Sequence, residues 1–314
     1  MASGCAMLLY KLPYSQYDLC KIQDQLRNVD PIIIPWPDTA FDKYDFLSYA
    51  EQHDIDKCRF YALLDLNIII NVARLVGPER PAVADEAMKN TAALLAFLAF
   101  TDTQFNTDMA FLEESYQNNI TSLFSLSGKI NPKLYADIAL GKKDCLEDKE
   151  LPNIQKHHFD QRKPKLHCNY YLHYIGVLKV IALEKFHRGT KLTKLLELIK
   201  WMWSDFIFSA PLLLFSLVFF SPKRMSRMVK NINHNNPDKV LSGAKNAAWD
   251  LVYAHYWVAR AQENVGKGNL WIFCTYDRAL RTIAGALLQK KLSQLEELEE
   301  LVSSFWGKVI QGKL

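Results

Sequence analysis

Asp65, Asp250 and Asp277 stand where a chain could hold a hard divalent cation. Asp65 directly follows the apolar run Phe60-Tyr-Ala-Leu-Leu64, and Asp277 lies just beyond Leu-Trp-Ile-Phe-Cys-Thr275. A short continuous apolar run ending beside an acid is the pattern of a parallel strand buried on both faces. In open α/β sheets, ligands bind beyond the carboxyl ends of such strands. Both acids are therefore expected at one sheet edge. Asp250 sits in the first half of a helix expected over residues 242–262, immediately before the second strand. Mg2+ takes oxygen ligands, one or two of them carboxylates, and keeps several waters. In phosphodiester cleavage, paired ions activate a water and stabilise the leaving oxygen.

Each acid also has an ordinary alternative. Asp65 and Asp277 could cap the helices that follow them, and Asp250 could be a solvated acid on an amphipathic helix. The other chemistry-bearing stretches are weaker. His157, His158, His167 and His173 lie in a loop-like stretch with no His pair at helical spacing, so solvated imidazoles are expected rather than a metal cluster. The short basic runs 162–165 and 223–230 could touch a phosphate backbone, although such runs are usually solvated surface. No GxGxxG or GxxxxGK[ST] occurs, which leaves dinucleotide-cofactor and P-loop readings without support.

Several elements are needed to position the acids. The run 31–37, PIIIPWP, suggests a short strand or extended arm. A strand over 60–64 leads into a helix. Residues 82–116 have helical spacing with a break at TDTQFNTD, where Asn106, Thr107 or Asp108 could cap a second helix. Residues 117–170 contain NPK, GKKD and a long polar run, which suggests a loop-rich segment. Residues 171–232 are helical and very apolar. Within them, Trp201–Phe220 is long enough to span a bilayer, but Asp205 and Pro211 interrupt it, so a buried helix pair is expected and a membrane partner is not. The C-terminal leucines recur at helical spacing, as in a packing or dimerisation helix.

The bulk composition bounds these readings. With 49% hydrophobic residues and 12% aromatics, the 314-residue chain can bury a sizeable core. Its net charge of +4 suits a nucleic-acid partner without requiring one. Six scattered cysteines without a CxxC pair are expected to be reduced thiols, as in a cytoplasmic protein. The N-terminus is too short and too weakly cationic for a secretory signal.

ALLDLNIII resembles the first-strand motif of PIN-domain nucleases, in which an acid is followed two residues later by a small polar residue. AAWDLVYAHYWVARAQ followed by LWIFCTYDRAL resembles their third and fourth acidic motifs, an Asp-bearing helix before a strand ending in Thr-x-Asp. The resemblance covers about residues 58–116 and 240–285. It implies Asp65, Asp250 and Asp277 as the first, third and fourth acids, with Asn67 and Thr275 in support. The second acid, usually a helical Glu, would fall on Glu113, with Glu114 beside it. The implied fold is α/β, a mainly parallel sheet with helices on both faces. It would comprise an N-terminal arm over 1–57, a core over 58–116 and 240–290, a helical insertion over 117–239 and a C-terminal amphipathic helix over 291–314. The implied activity is Mg2+- or Mn2+-dependent endonucleolytic cleavage, of RNA rather than DNA, as in a toxin or defence effector. Such a protein would meet an RNA substrate and an antitoxin or regulatory protein, and could form a homodimer. The alternative is an inactive PIN-like scaffold that binds nucleic acid or protein. A metal-independent rival, the Arg-x4-His spacing of HEPN-type ribonucleases, is matched by Arg162 and His167, but Pro164 disfavours the helix that those residues need.

Overall fold

The computed structural model describes residues 14–35, 41–106, 109, 127–151, 168–222, 225, 228–289 and 302–307. The chain divides into two compact units, the first formed by residues 1–165 and 260–276, the second by 166–259 and 277–314.

In the first unit the elements run α1 (Gln16–Val29), β1 (Ile32–Ile33), α2 (Phe46–Asp54), β2 (Arg59–Leu64), α3 (Leu66–Val76), α4 (Glu86–Phe100), β3 (Gln104–Asn106), α5 (Pro132–Ala139), a 3-10 turn (Asp148–Glu150) and β4 (Asn269–Cys274). The α/β class is borne out. The sheet is smaller and more mixed than the expected mainly parallel one. Its order is β1-β4-β2-β3; β2 is parallel to both β3 and β4, and β1 closes the edge antiparallel to β4. Helix dominates the rest of the described residues. The apolar run that begins at Pro31 therefore supplies a true strand, with Ile32 opposite Cys274.

The two central strands are apolar beyond their first residues because neighbours cover them. Phe60, Ala62, Leu63 and Leu64 of β2 and Trp271–Cys274 of β4 are buried. Described residues N-terminal to β2 belong to the core of this unit. Ile22 and Leu26 of α1, and Phe46 and Tyr49 of α2, enter the same core as β2. Tyr49 packs against Phe60 and Phe97, with ring centroids 4.6 and 5.3 Å away. Helix α4 begins where the Asp85 carboxylate accepts the Met88 amide, 2.9 Å away. It is buried nearly all round, and its alanines let neighbouring helices approach closely.

Two local expectations are corrected. Asn106 ends β3 instead of capping a helix, since the polar break 101–106 turns the chain into the sheet edge. Thr107 and Asp108 lie outside the described residues. The NPK stretch starts helix α5 rather than a loop: Asn131 accepts the Lys133 amide, and Pro132 occupies the first turn, where its missing N–H costs nothing. Tyr135, Ala136 and Ile138 then join the core.

The second unit contains α6 (Cys168–Phe186), α7 (Lys191–Ser204), α8 (Ala210–Phe219), most of α9 (Pro237–Glu263) and α10 (Arg278–Gln289). The apolar stretch 201–220 is broken as Asp205 and Pro211 suggest. Asp205 follows the last turn of α7, and Ser209 with Pro211 starts α8, most of which is buried. Among the described residues, no helix is long and apolar enough to cross a membrane. Trp306 is buried, and its indole N–H donates to the Leu217 carbonyl at 3.1 Å. At Gly243 of α9, a Cβ would fall 1.8 Å from the Lys230 carbonyl oxygen, so only glycine allows that approach.

Candidate functional site

The register of β2 against β4 builds the site in the first unit. Leu64 pairs with Cys274, so the next residues, Asp65 and Thr275, emerge side by side at the carboxyl ends of two parallel strands. The backbone is held on both sides: the Asp65 amide donates to Cys274 O at 2.9 Å, and the Thr275 amide to Pro31 O at 2.9 Å. The Thr275 hydroxyl then donates to Asp65 Oδ2 at 2.7 Å. Asn67 Nδ2 donates to the same oxygen at 3.2 Å. Asp65 is 2% exposed and Thr275 fully buried, whereas Asn67 lies at the surface.

Asp65 occupies the residue before α3, with extended backbone, yet its side chain makes no capping hydrogen bond. Its carboxylate turns instead to Thr275 and Asn67. An ionised carboxylate is costly to bury, and two donors on one oxygen reduce that cost and hold its orientation. Beneath this edge, burial pushes the Cys274 thiol and the Tyr276 phenol well above their ordinary pKa values. The hydroxyls of Tyr276 and Thr91 lie 3.4 Å apart. Among these side chains, Asp65 is therefore the acid at the strand ends.

The other expected acids are placed differently. Asp277 and Asp250 belong to the second unit. Asp277 is a half-buried helix cap: its Oδ1 accepts the Leu280 amide at 2.9 Å, and its carbonyl accepts the Arg281 amide at 2.9 Å. Asp250 is half-buried on α9, beside the buried Trp249, whose ring centroid is 4.8 Å from that of Tyr170. Glu113 and Glu114 lie outside the described residues, as do His157, His158, Arg162, Pro164 and His167. Thus Asp65, Asn67 and Thr275 are brought together in one unit. Among the described residues, no three His, Cys, Asp or Glu side chains form a group that could hold a metal ion.

The donor set still bears on a hard cation. Mg2+ needs only one or two protein carboxylates because it keeps its waters. A carboxylate oriented by a hydroxyl and an amide is the kind of ligand whose neighbours govern metal affinity. Asp65 with Thr275 and Asn67 fits that role; any further protein ligand must come from other parts of the chain.

One feature of the second unit departs from the sequence reading. His173 is on α6, not in a solvated loop, and is 2% exposed. Its ring centroid lies 5.7 Å from that of His255 on α9, edge to face. The apolar Val177, Val180 and Ile181, buried at helical spacing after it, carry the signal that places His173 on the inner face. Comparison with known proteins finds no matching protein family, no matching curated protein and no matching solved structure.

Proposed function

We propose that this protein is a Mg2+- or Mn2+-dependent endonuclease acting on RNA, related in its design to the PIN-domain nucleases. The carrying observation is the buried Asp65 carboxylate, gripped by Thr275 and Asn67 where two parallel strands end. The Asp-x-Asn and Thr-x-Asp motifs lie far apart in sequence, yet Asp65 meets Thr275 directly. That meeting is what a shared role for the two motifs requires.

In this reading Asp65 would be a carboxylate ligand of the metal, and Asp250, Asp277 and Glu113 are candidate further ligands carried over from the motif resemblance. When bound, the cation supplies a water acidic enough to attack at neutral pH and offsets negative charge on the phosphodiester. Thr275 and Asn67 hold the Asp65 carboxylate in place at the sheet edge. The burial of Asp65 keeps bulk water away from that carboxylate, which strengthens its attraction for a cation.

The test is cleavage of labelled single-stranded RNA by the purified chain with Mg2+ or Mn2+. Asp65→Asn and Asp277→Asn should each slow cleavage at least about 100-fold, because each removes a charged ligand worth several kcal/mol. Excess EDTA should abolish cleavage. Full activity of both variants, or of the chelated protein, would overturn the proposal.

A second reading, an inactive scaffold of the same design, draws on the engagement of Asp277 as a helix cap. It expects RNA binding without cleavage under any divalent cation, and no change in binding on Asp65→Asn.

A further inference from the structure

The helical hairpin of the second unit shows solvent an unusual amount of apolar surface. Thirteen large hydrophobic side chains are exposed among the described residues, and seven of them fall within residues 168–222. Single exposed apolar residues are ordinary; a cluster of them is not. On α6, Tyr171, Ile175 and Phe186 share one stripe, because spacings of four and eleven residues return to the same side of a 3.6-residue helix. Phe186 is 80% exposed. On α7, Leu196, Lys200 and Trp203 follow each other at four and three residues, and Trp203 is also 80% exposed. The short connection to α8 adds exposed Ile207 and Phe208, the latter edge to face with Trp203 at 6.4 Å. Lys179 Nζ lies 5.4 Å over the Trp201 ring, which ties the α6 stripe to α7.

The opposite side of the same hairpin is also apolar. Val177 and Val180 of α6, and Leu195, Leu198 and Met202 of α7, are buried. The outer stripes are therefore not the surplus of an incomplete core. They are bordered by positive charge: residues 168–222 hold six Lys or Arg against three acids, and one of those acids, Glu184, is bonded to Lys194.

We propose that the α6–α7 hairpin and its connection to α8 form a docking surface for an anionic lipid membrane, lying in the headgroup region without crossing it. Aromatic and aliphatic side chains among lysines are the composition of helices that lie in a membrane interface, and each surface cation adds attraction to anionic lipid. Single-stranded nucleic acid fits less well. Ile175, Leu196 and Ile207 offer no ring for a base to stack on. A second copy fits less well too, since a two-fold interface would set like-charged borders against each other. The proposal does not depend on the nuclease reading.

The full chain is sedimented with vesicles of phosphatidylcholine alone, or of phosphatidylcholine mixed with phosphatidylglycerol. Binding is expected only to the mixed vesicles, and should weaken as salt rises. Trp203→Ser combined with Phe208→Ser should weaken it at least about tenfold, from the apolar area that no longer leaves water. Lys185→Glu combined with Lys200→Glu should do the same. Val83→Ser, at an exposed apolar residue of the first unit, and Asp65→Asn should leave it unchanged. Circular dichroism verifies the fold of each variant. No binding to mixed vesicles, or equal binding by the Trp203/Phe208 variant, overturns the proposal. So does a loss confined to single-stranded RNA affinity, or a change only from dimer to monomer.

Discussion

Thr275 holds the Asp65 carboxylate directly. Its hydroxyl, fully buried, reaches Oδ2 at 2.7 Å, and its own amide is anchored to Pro31. Thr275→Val keeps the shape and removes the donor, leaving a buried carboxylate short of one hydrogen bond. The expected cost is about 1–3 kcal/mol in denaturant unfolding. In the nuclease reading, RNA cleavage should also fall about 10–100-fold, as for loss of a group that orients a metal ligand. Thr275→Ser should restore both, which separates the hydroxyl from the methyl. At Asp277 the cap and the charge can be parted. Asp277→Ala should cost about 1 kcal/mol of stability through the lost bond to Leu280. Asp277→Asn should keep the cap and the stability, so any loss of cleavage in that variant reports the charge.

Among the elements, α9 depends on a residue with no side chain. Gly243 lies so close to Lys230 that a Cβ would overlap its carbonyl. In an exposed helix, Gly→Ala stabilises by about 1 kcal/mol. Here the sign reverses, and Gly243→Ala should destabilise by on the order of 3 kcal/mol because backbone must move. A lowered denaturation midpoint measures it; a raised midpoint would show that the two segments part easily. Helix α3 illustrates a different constraint. Its first residue follows Asp65, whose side chain is committed to Thr275, so this helix starts without a side-chain cap. The burial of Leu66, Ile68, Ile69, Val72, Leu75 and Val76 stabilises it instead.

Across the whole molecule, the net charge of +4 hides a strong division. The second unit carries 18 Lys and Arg against 10 acids, and the first 20 against 24. An anionic partner, whether lipid or nucleic acid, is therefore attracted chiefly by the second unit, and the first unit keeps the acidic edge. The cysteines give a test of packing within the first unit. Cys20 is exposed, whereas Cys58 and Cys274 are buried, and burial pushes both of their thiols up. Cys20, open to solvent, should be modified rapidly by a thiol reagent. Cys58 and Cys274 should react only as the protein unfolds, with peptide mapping by mass spectrometry identifying the site. Modification of Cys274 at the rate of Cys20 would contradict the packing of β4.

The amino-acid sequence alone located both central strands, the helix of residues 242–262 and the interruption at Asp205 and Pro211, since each is written in local periodicity or in a residue that breaks it. It also singled out Asp65, Asn67 and Thr275. The pairing of β2 with β4 was beyond its reach, because register depends on contacts between residues about 210 apart; that register turns three candidates into one bonded group. The same holds for the entry of β1 into the sheet, the inward face of His173 and the division of charge between units. A local pattern shows which side of a helix is apolar, but only the neighbours packed in three dimensions decide which apolar sides are covered. On α6 and α7, one side is covered and the other faces solvent.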